Sequence, residues 1–329
     1  MPLIIGAGAV GTILAGYLGR ARRPVRLYLR EKDVDRFQHA QHLLIDRVTG
    51  GPPIQTGKPA LTTRLDLRDE KYLILCVKYP ALDEVLDALP TPLPEQLTIV
   101  STLNGVGAVR KIRDRFPGQP TATVTIMFNA QLLEPLHARI TTKPQILINS
   151  GDRELLALFE GSGMQVTDAG GEAAAWGKLL INLANAICAC THTTFKDLLT
   201  DRDLRTVFTR TLDEAVATLE AAGVEYELPM PVAYRAYRRV LLHGGPLPWW
   251  FAKLRNALQA GSYPSMVSDV VAGRKTEVSQ LNGEIVALGG RHGVATPINA
   301  QLVDLVETFS GQSHPDFLTP AELRRQLEL

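Results

Sequence analysis

An apolar stretch in the second half of the chain carries three polar residues at helical spacing. Residues 173–189 are hydrophobic almost throughout, and Lys178, Asn182 and Asn185 fall at i, i+4 and i+7, on one face of a helix. Burying an ammonium group without a partner is costly and lowers its pKa. A lysine tuned in this way is suited to donating a proton to a developing alkoxide. We predict a catalytic role for Lys178; the alternative is that it reaches solvent at the helix edge while the asparagines bond neighbouring helices.

The beginning of the chain carries a glycine pattern suited to holding phosphates. An apolar strand, residues 3–5, runs directly into Gly-Ala-Gly-Ala-Val-Gly, and a helical pattern follows. In that context the glycines provide a tight turn, close backbone approach to a pyrophosphate and helix–strand packing, and the helix N-terminus favours negative charge. We predict a dinucleotide site, with a glycine-rich turn that binds nothing as the alternative. The predicted cofactor contacts are Gly6, Ala7, Gly8, Ala9, Val10 and Gly11.

The residue at the end of the second predicted strand distinguishes NADP from NAD. An acidic residue there hydrogen-bonds the ribose 2′-hydroxyl of NAD, whereas arginine accommodates the 2′-phosphate of NADP. Arg30 stands at this position, followed by Glu31 and Lys32. Because arginine has a permanent charge and a fork of donors that matches a phosphate, we predict NADP. Glu31 leaves NAD as an alternative, and a solvated charge cluster is the third interpretation.

Two further polar residues follow predicted strands. Lys78 comes after the apolar run 73–77, and Asn104 follows residues 99–103 and precedes a glycine. Ligands bind outside the carboxyl ends of strands in open α/β sheets, so both residues are expected to contact cofactor or substrate. A turn or a helix cap is the alternative role. Glu277 opens a later helical pattern, which by itself predicts only a first-turn carboxylate favoured by the helix dipole.

The elements that must position these residues differ between the two halves of the chain. In the first half, short β-branched runs alternate with helical patterns, as in a parallel sheet covered on both faces. Residues 43–54 predict an inserted hairpin, and residues 136–149 predict strands that close the domain. We predict an α/β fold with an N-terminal Rossmann-type dinucleotide-binding domain, residues 1–168, and an all-helical C-terminal domain, residues 169–329. The predicted helices of that second domain cover residues 172–189, 203–222, 231–242, 276–288 and 297–309.

Composition argues against several classes of function. The chain has 329 residues, 45% of them hydrophobic, and its 35 basic and 34 acidic residues are evenly spread. Nucleic-acid binding and electrostatic attachment to a membrane are therefore not expected. We also expect no membrane span, because no apolar run is predicted to reach the roughly 18 residues that a spanning helix needs. Three cysteines in apolar segments, no signal-peptide pattern and no metal-ligand spacing predict a cytoplasmic protein without a metal site.

Motifs along the whole chain occur in a familiar order and spacing. They are the glycine pattern, Arg30, Val77-Lys78, residues 104–107 (Asn-Gly-Val-Gly), residues 178–182 (Lys-Leu-Leu-Ile-Asn), Ser265-Met266 with Asp269, Thr276-Glu277 and Asn282-Gly283. In these motifs the sequence resembles the 2-dehydropantoate 2-reductase (ketopantoate reductase) family, over nearly its full length.

The resemblance implies an NADPH-dependent reduction of ketopantoate to pantoate, a step toward pantothenate and coenzyme A. By this analogy Lys178 protonates the substrate carbonyl oxygen, and Glu277 holds the substrate hydroxyl and supports the lysine. Asn182, Asn185 and Ser265 would bind the substrate. The residues expected on the nicotinamide side are Lys78, Asn104 and Glu277, with Asn104 also reaching the substrate.

The chain departs from the family pattern in three places, of which the first is residues 125–129 (Thr-Ile-Met-Phe-Asn) and the strands after them, which lack the glycine-rich pattern associated with the family. The family often has a second asparagine two turns after the lysine, where this chain has Ala186, with Asn185 one residue earlier. The segment 225–261 is longer than expected and includes Pro-Leu-Pro-Trp-Trp-Phe at 246–251, which suggests a lid, a changed pocket, an oligomer interface or plain core packing. We expect a homodimer, and these departures leave open a 2-oxo acid substrate other than ketopantoate.

Three other functions stay open on the sequence alone. The first is an NADP-dependent reductase of a different 2-oxo acid or of an imine, on the same scaffold. The second is a 3-hydroxyacid dehydrogenase of the 6-phosphogluconate type, against which the Ser265–Asp269 and Thr276-Glu277 motifs argue. The third is a non-catalytic NADP sensor, which has no need of a buried lysine.

Overall fold

The chain folds into two units. The computed structural model describes residues 1–48, 50–149, 151–169, 172–230, 232–256, 260–312 and 315–329. The first unit comprises Met1–Asn104 and Ala108–Gly171, and the second comprises Gly105–Gly107 and Glu172–Leu329.

The first unit contains two β-sheets and five α-helices in its described residues. Its strands are β1 (Leu3–Ile5), β2 (Arg26–Tyr28), β3 (His42–Arg47), β4 (Ile54–Gly57), β5 (Ala60–Thr62), β6 (Tyr72–Leu75), β7 (Thr98–Ser101), β8 (Thr121–Ile126), β9 (Ala130–Glu134), β10 (His137–Ile140), β11 (Gln145–Ile148) and β12 (Gln165–Asp168). Its helices are α1 (Ala9–Arg20), α2 (Val34–Gln38), α3 (Leu82–Ala88), α4 (Gly107–Arg115) and α5 (Arg153–Leu158).

The larger sheet has the strand order of a dinucleotide-binding fold. Its eight strands lie in the order β12-β11-β8-β7-β6-β1-β2-β5, and the six from β8 to β5 are parallel. Counted along the chain, those six follow the doubly wound order in which ligands bind where the strand order reverses. That switch point lies between β1 and β6, so the loops after these two strands are adjacent.

Both faces of this sheet are buried, because successive side chains of each strand point to opposite sides. Ile4 packs into one core with Ile13 of α1. Its neighbour Leu3 packs into a separate core with Leu82 of α3 and Ile112 of α4. The continuous apolar runs seen in the sequence are the consequence of this two-sided burial.

The smaller sheet has the order β4-β3-β10-β9 and packs against α1. The hairpin predicted over residues 43–54 is confirmed, since β3 and β4 pair antiparallel. The strands predicted within residues 136–149 separate: β11 joins the larger sheet antiparallel to β8, whereas β10 pairs parallel with β3. Periodicity alone does not reveal with which sheet a strand pairs.

The second unit is helical throughout its described residues. Its helices are α6 (Ala173–Asn182), α7 (Ala184–Thr191), α8 (Phe195–Thr200), α9 (Arg202–Ala221), α10 (Tyr234–His243), α11 (Leu247–Asn256), α12 (Ser265–Val271), α13 (Val278–His292), α14 (Pro297–Phe309) and α15 (Pro320–Gln326). The predicted fold class, a Rossmann-type N-terminal part followed by a helical part, is confirmed.

Several helix boundaries differ from those predicted. The helix predicted over 172–189 is divided at Leu183, whose N–H is shared between the carbonyls of Leu179 and Leu180 in a tightened turn. The helix predicted from Pro231 begins at Tyr234, and Pro231 itself lies outside the described residues.

The apolar helix pair α6–α7 is long enough to span a membrane, contrary to our expectation that no run reaches that length. Ala173–Thr191 passes this test by length and composition only. Within the structure, 72% of its most apolar window is buried, and Leu180, Ile187 and Cys190 belong to the core of the second unit. A buried core helix of this kind is apolar nearly all round.

Candidate active site

Of the three glycines in the pattern that joins β1 to α1, Gly8 is the one with open space beside it. Gly6 adopts φ +107°, and a Cβ placed on it would lie 2.6 Å from the Cys76 carbonyl oxygen, in the loop after β6. A Cβ on Gly11 would lie 2.0 Å from the Gly6 carbonyl oxygen. By contrast, a Cβ on Gly8 would meet no described atom beyond its chain neighbours within 4 Å. Gly6 and Gly11 therefore serve the fold, whereas Gly8 faces empty space.

A dinucleotide fits this loop. Gly8 is the residue before α1, and the first N–H groups of a helix have no acceptor within the helix. The first turn of α1 has no acidic residue that would repel a phosphate. A pyrophosphate would therefore meet unused donors and the positive end of the helix dipole in the space over Gly8.

Three predicted polar residues lie at the same edge of the larger sheet as this loop. Arg30 is extended two residues beyond β2 and donates from Nε to Asp33 Oδ2 at 2.9 Å. Lys78 is exposed beyond β6, and Asn104 is half-buried beyond β7. Since these strands are parallel, their carboxyl ends share one edge, and the structure brings the three residues to the side of the glycine loop.

The second unit places Lys178 in an environment that lowers its pKa. Lys178 lies half-buried on α6, and burial lowers the pKa of its ammonium group to about 8. The nearby Glu277 carboxylate acts in the opposite direction and raises this pKa. Lys178 and Glu277 therefore lie close together, although α6 and α13 are about a hundred residues apart in sequence. An amine with this pKa holds a proton at neutral pH and releases it more readily than an exposed lysine.

A close backbone crossing holds α6 in place beside this lysine. A Cβ on Gly177 would lie 1.6 Å from the Glu227 carbonyl oxygen, so no other residue fits there without a backbone shift. The Glu227 N–H also donates to the Ala173 carbonyl at 2.9 Å. The beginning of the unusually long segment 225–261 is thus packed directly on the turn that carries Lys178. A glycine inside an apolar helix was the available sequence signal for this contact.

The remaining predicted substrate residues lie at different depths in the second unit. Asn182 is half-buried one turn after Lys178. Asn185 is only 6% exposed, beside the fully buried Ala186. Ser265 is exposed at the first position of α12. Glu277 is the residue immediately before α13. The sequence pattern had predicted it within the first turn of that helix.

Among the described residues, no group of three or more histidine, cysteine, aspartate or glutamate side chains is arranged to hold a metal ion. The three cysteines are unpaired, and burial raises the pKa of the Cys76 and Cys188 thiols to about 12. Among the described groups whose pKa is shifted, Lys178 is the one whose pKa moves toward neutrality.

Sequence comparison assigns both units. The sequence model described as "Ketopantoate reductase PanE/ApbA" matches residues 3–153, and that described as "Ketopantoate reductase PanE/ApbA C terminal" matches residues 172–310. The chain belongs to the ketopantoate reductase family. It is 26% identical over 319 residues to the 2-dehydropantoate 2-reductase of Aquifex aeolicus, with 93% of this chain and 95% of the relative covered. It is therefore an enzyme, an oxidoreductase of a family that binds a nicotinamide dinucleotide.

Solved structures of similar proteins agree with this assignment. The PanE/ApbA family ketopantoate reductase from Ralstonia eutropha superposes with a TM-score of 0.77 at 26% identity, covering 94% of this chain and 98% of that one. A D-mandelate dehydrogenase, solved with NADH and anilino(oxo)acetate, superposes with a TM-score of 0.76 at 19% identity and covers 100% of both chains. At that lower identity the likeness concerns the fold alone.

Proposed function

We propose that this enzyme reduces ketopantoate to pantoate with NADPH, and thereby supplies pantothenate and coenzyme A synthesis. The observation that carries the proposal is the pair Lys178–Glu277, in which burial brings the pKa of the lysine to about 8 while the carboxylate keeps it protonated. The family assignment of the surrounding residues, 172–310, supports the same chemistry. In this proposal the first unit binds the cofactor, and the second binds the substrate and supplies the proton.

The residues divide the work of a carbonyl reduction. A bound nicotinamide cofactor would supply the hydride. Lys178 Nζ would hydrogen-bond the substrate carbonyl oxygen and deliver a proton to it as negative charge develops. Glu277 would hold the substrate hydroxyl and keep the ammonium group charged, while Asn182, Asn185 and Ser265 would orient the substrate. Lys78 and Asn104 would contact the nicotinamide end of the cofactor, with Asn104 and Glu277 shared between the two ligands.

The substrate is tested by comparing 2-oxo acids. Purified enzyme with NADPH should show a higher kcat/KM for ketopantoate than for pyruvate, 2-oxoisovalerate or benzoylformate. A preference for one of these acids would mean that the protein is a 2-oxo acid reductase whose substrate is not ketopantoate. That second candidate is favoured by Ala186, which stands where the family often has an asparagine. If the enzyme reduced an imine and none of the 2-oxo acids, the function would be that of an NADP-dependent imine reductase.

Reversing the charge of Arg30 should change the cofactor preference. If the Arg30 guanidinium binds a 2′-phosphate, Arg30→Glu removes a charge-assisted contact and raises the KM for NADPH by about 10- to 100-fold. The KM for NADH should stay the same or fall, because that ribose carries a hydroxyl instead. Arg115→Glu is the matched control. It reverses the same charge at the exposed end of α4, away from the predicted cofactor contacts. Equal effects of Arg30→Glu on both cofactors would contradict NADP selection by this residue.

A homodimer in the cytoplasm completes the proposal. One face of α11 exposes four apolar residues at i, i+3, i+4 and i+7, which is a larger apolar stripe than a lone helix normally leaves to water. They are Leu247, 60% exposed, Trp250, 53%, Phe251, 46%, and Leu254, 78%. Light scattering on the purified chain should give twice the monomer mass, and a monomer mass at micromolar concentration would contradict the dimer. The unpaired cysteines are in keeping with a reducing compartment.

A further inference from the structure

A chain of polar side chains connects the helix that follows Glu277 to the body of the second unit. Asn282 on α13 and Asn299 on α14 are both 0% exposed, and Asn282 Nδ2 donates to Asn299 Oδ1 at 3.1 Å. Asn299 Nδ2 in turn donates to Glu214 Oε2 at 2.8 Å and to the Thr211 carbonyl at 3.1 Å, both on α9. Three helices are thus joined through hydrogen bonds in the interior.

Glu214 also fixes the start of α14. Its Oε1 accepts the Ile298 N–H at 2.8 Å, and its Oε2 accepts the Asn299 N–H at 2.9 Å. These are first-turn donors that have no acceptor within their own helix, and a carboxylate is favoured at that end of the helix dipole. The N-terminus of α14, and with it the Asn299 side chain, is therefore held against α9.

The position of Glu277 depends on where α13 lies. Glu277 is the residue before the helix, and its side chain makes no capping hydrogen bond to the first turn. Its carbonyl accepts the Gln280 N–H at 3.0 Å, so its backbone moves with that turn. Asn282 lies within the next turn, and in a rod with 1.5 Å rise per residue a side chain fixed there sets both the height and the rotation of the helix start.

We propose that Glu214, Asn299 and Asn282 are positioning residues that hold Glu277 beside Lys178. A buried polar network gains little stability over well-packed apolar side chains, because its members must be desolvated. What it supplies is a single register between helices. The catalytic role of Lys178 in this inference rests on the proposed function. The positioning of Glu277 does not, because it is a property of the free enzyme.

Titration of Lys178 in the free enzyme tests this positioning without substrate or cofactor. NMR of the ¹⁵N-labelled lysine side chains can follow Nζ of Lys178, assigned by the signal that is lost in Lys178→Ala. Since Glu277 raises the pKa of Lys178, a displaced Glu277 should move this pKa below its value of about 8. We expect this shift in Asn299→Ala and in Glu214→Gln, the second of which conserves volume if the first does not fold. Neither variant should shift the pKa further when combined with Glu277→Gln.

Kinetics provide the second readout. In the same variants kcat with ketopantoate should fall about 10- to 100-fold, as expected when a catalytic group is displaced by a fraction of an ångström to one ångström. The KM for NADPH should change far less than kcat, because most of the proposed cofactor contacts lie in the first unit. The fall in kcat at high pH should also begin at lower pH, because Lys178 loses its proton earlier.

Two control variants separate positioning from stability. Glu307→Gln weakens the exposed 2.6 Å hydrogen bond from Ser279 Oγ, which joins the same two helices outside the network. Val306→Ala removes volume from a fully buried position of α14 and lowers stability without touching the network. Both should leave the Lys178 pKa where it is.

The proposal is overturned if Asn299→Ala and Glu214→Gln lower the melting temperature but leave the Lys178 titration unchanged. It is overturned equally if Val306→Ala shifts that titration as far as they do. If the wild-type enzyme does not reduce ketopantoate, the proposed substrate is wrong, and the titration still decides whether the network positions Glu277.

Discussion

Replacing Lys178 by methionine is expected to lower turnover by orders of magnitude and, at neutral pH, to make the protein more stable. Methionine keeps the length and apolar stem of the side chain but cannot donate a proton. Loss of a general acid typically costs about 10²- to 10⁴-fold in rate, so kcat should fall by that factor while NADPH still binds. The gain in stability follows because burial disfavours the ammonium group that Lys178 carries below pH 8.

The stability difference should depend on pH in a defined direction. The folded pKa of Lys178, about 8, lies below the ordinary lysine value of 10.5. Between these values the unfolded chain binds more protons than the native protein, so the stability contributed by this site rises with pH. Below pH 8 both states are protonated and the native state bears the full cost of the buried charge. The advantage of Lys178→Met in melting temperature should therefore be largest at neutral pH and shrink as the pH rises toward 10.5.

Lys196→Met is the control for this variant, because Lys196 is exposed on α8. It should change neither kcat nor the pH dependence of melting. If Lys178→Met kept wild-type turnover, the lysine would not be the proton donor. A loss of turnover accompanied by a loss of stability at neutral pH would mean that Lys178 has a structural role instead.

Substitution of Gly8 by valine is expected to remove dinucleotide binding while leaving the apoprotein folded. Gly8 has φ −78° and ψ −166°, an extended conformation that any residue adopts, and open space lies above it. A valine side chain would fill that space and keep a pyrophosphate from the N–H groups of α1. The loss of charge-assisted hydrogen bonds should raise the NADPH dissociation constant on the order of 100-fold or more. Calorimetric titration and apoprotein melting measure the two effects separately.

The matched variant is Gly11→Ala, three residues further along the same loop. Its single added carbon would lie 2.0 Å from the Gly6 carbonyl oxygen, so the helix would be pushed from its strand. We expect Gly11→Ala to lower the melting temperature of the apoprotein by far more than Gly8→Val. If Gly8→Val bound NADPH as tightly as wild type, the dinucleotide would not lie over this loop.

The parts of the molecule that were predictable from the sequence are those determined by neighbouring residues. The strand at Leu3–Ile5, the glycines and helix α1 follow one another directly in the chain. Their residue types and order therefore predict the strand–turn–helix unit. Lys178 was predicted to be costly because its helix is apolar, and burial does lower its pKa. The helices predicted at 203–222 and 297–309 likewise follow from local periodicity, since the bounds of α9 and α14 lie within one residue of those predicted.

The parts that were not predictable depend on contacts between distant residues. Asn299 meets Glu214 across 85 positions, and neither residue has a local pattern that marks it. The Glu227 backbone reaches Gly177 from a loop fifty residues later, and only the tight space there shows why a glycine is needed. Strand β10 pairs with β3, with His137 opposite Leu44, across more than ninety positions, and alternation of side chains cannot encode that pairing. Sequence patterns therefore mark Lys178 and the glycine loop as candidates, but they do not show the contacts between distant residues that hold them.

The most direct test of the central claim is the initial rate of NADPH oxidation with ketopantoate, followed by the absorbance of the reduced nicotinamide across a pH range that brackets 8. We predict substrate-dependent oxidation whose kcat is constant at lower pH and falls as the pH rises through about 8, where Lys178 loses its proton. No oxidation with ketopantoate, or a kcat that rises with pH through this range, would contradict the claim that Lys178 is the acid of a ketopantoate reductase.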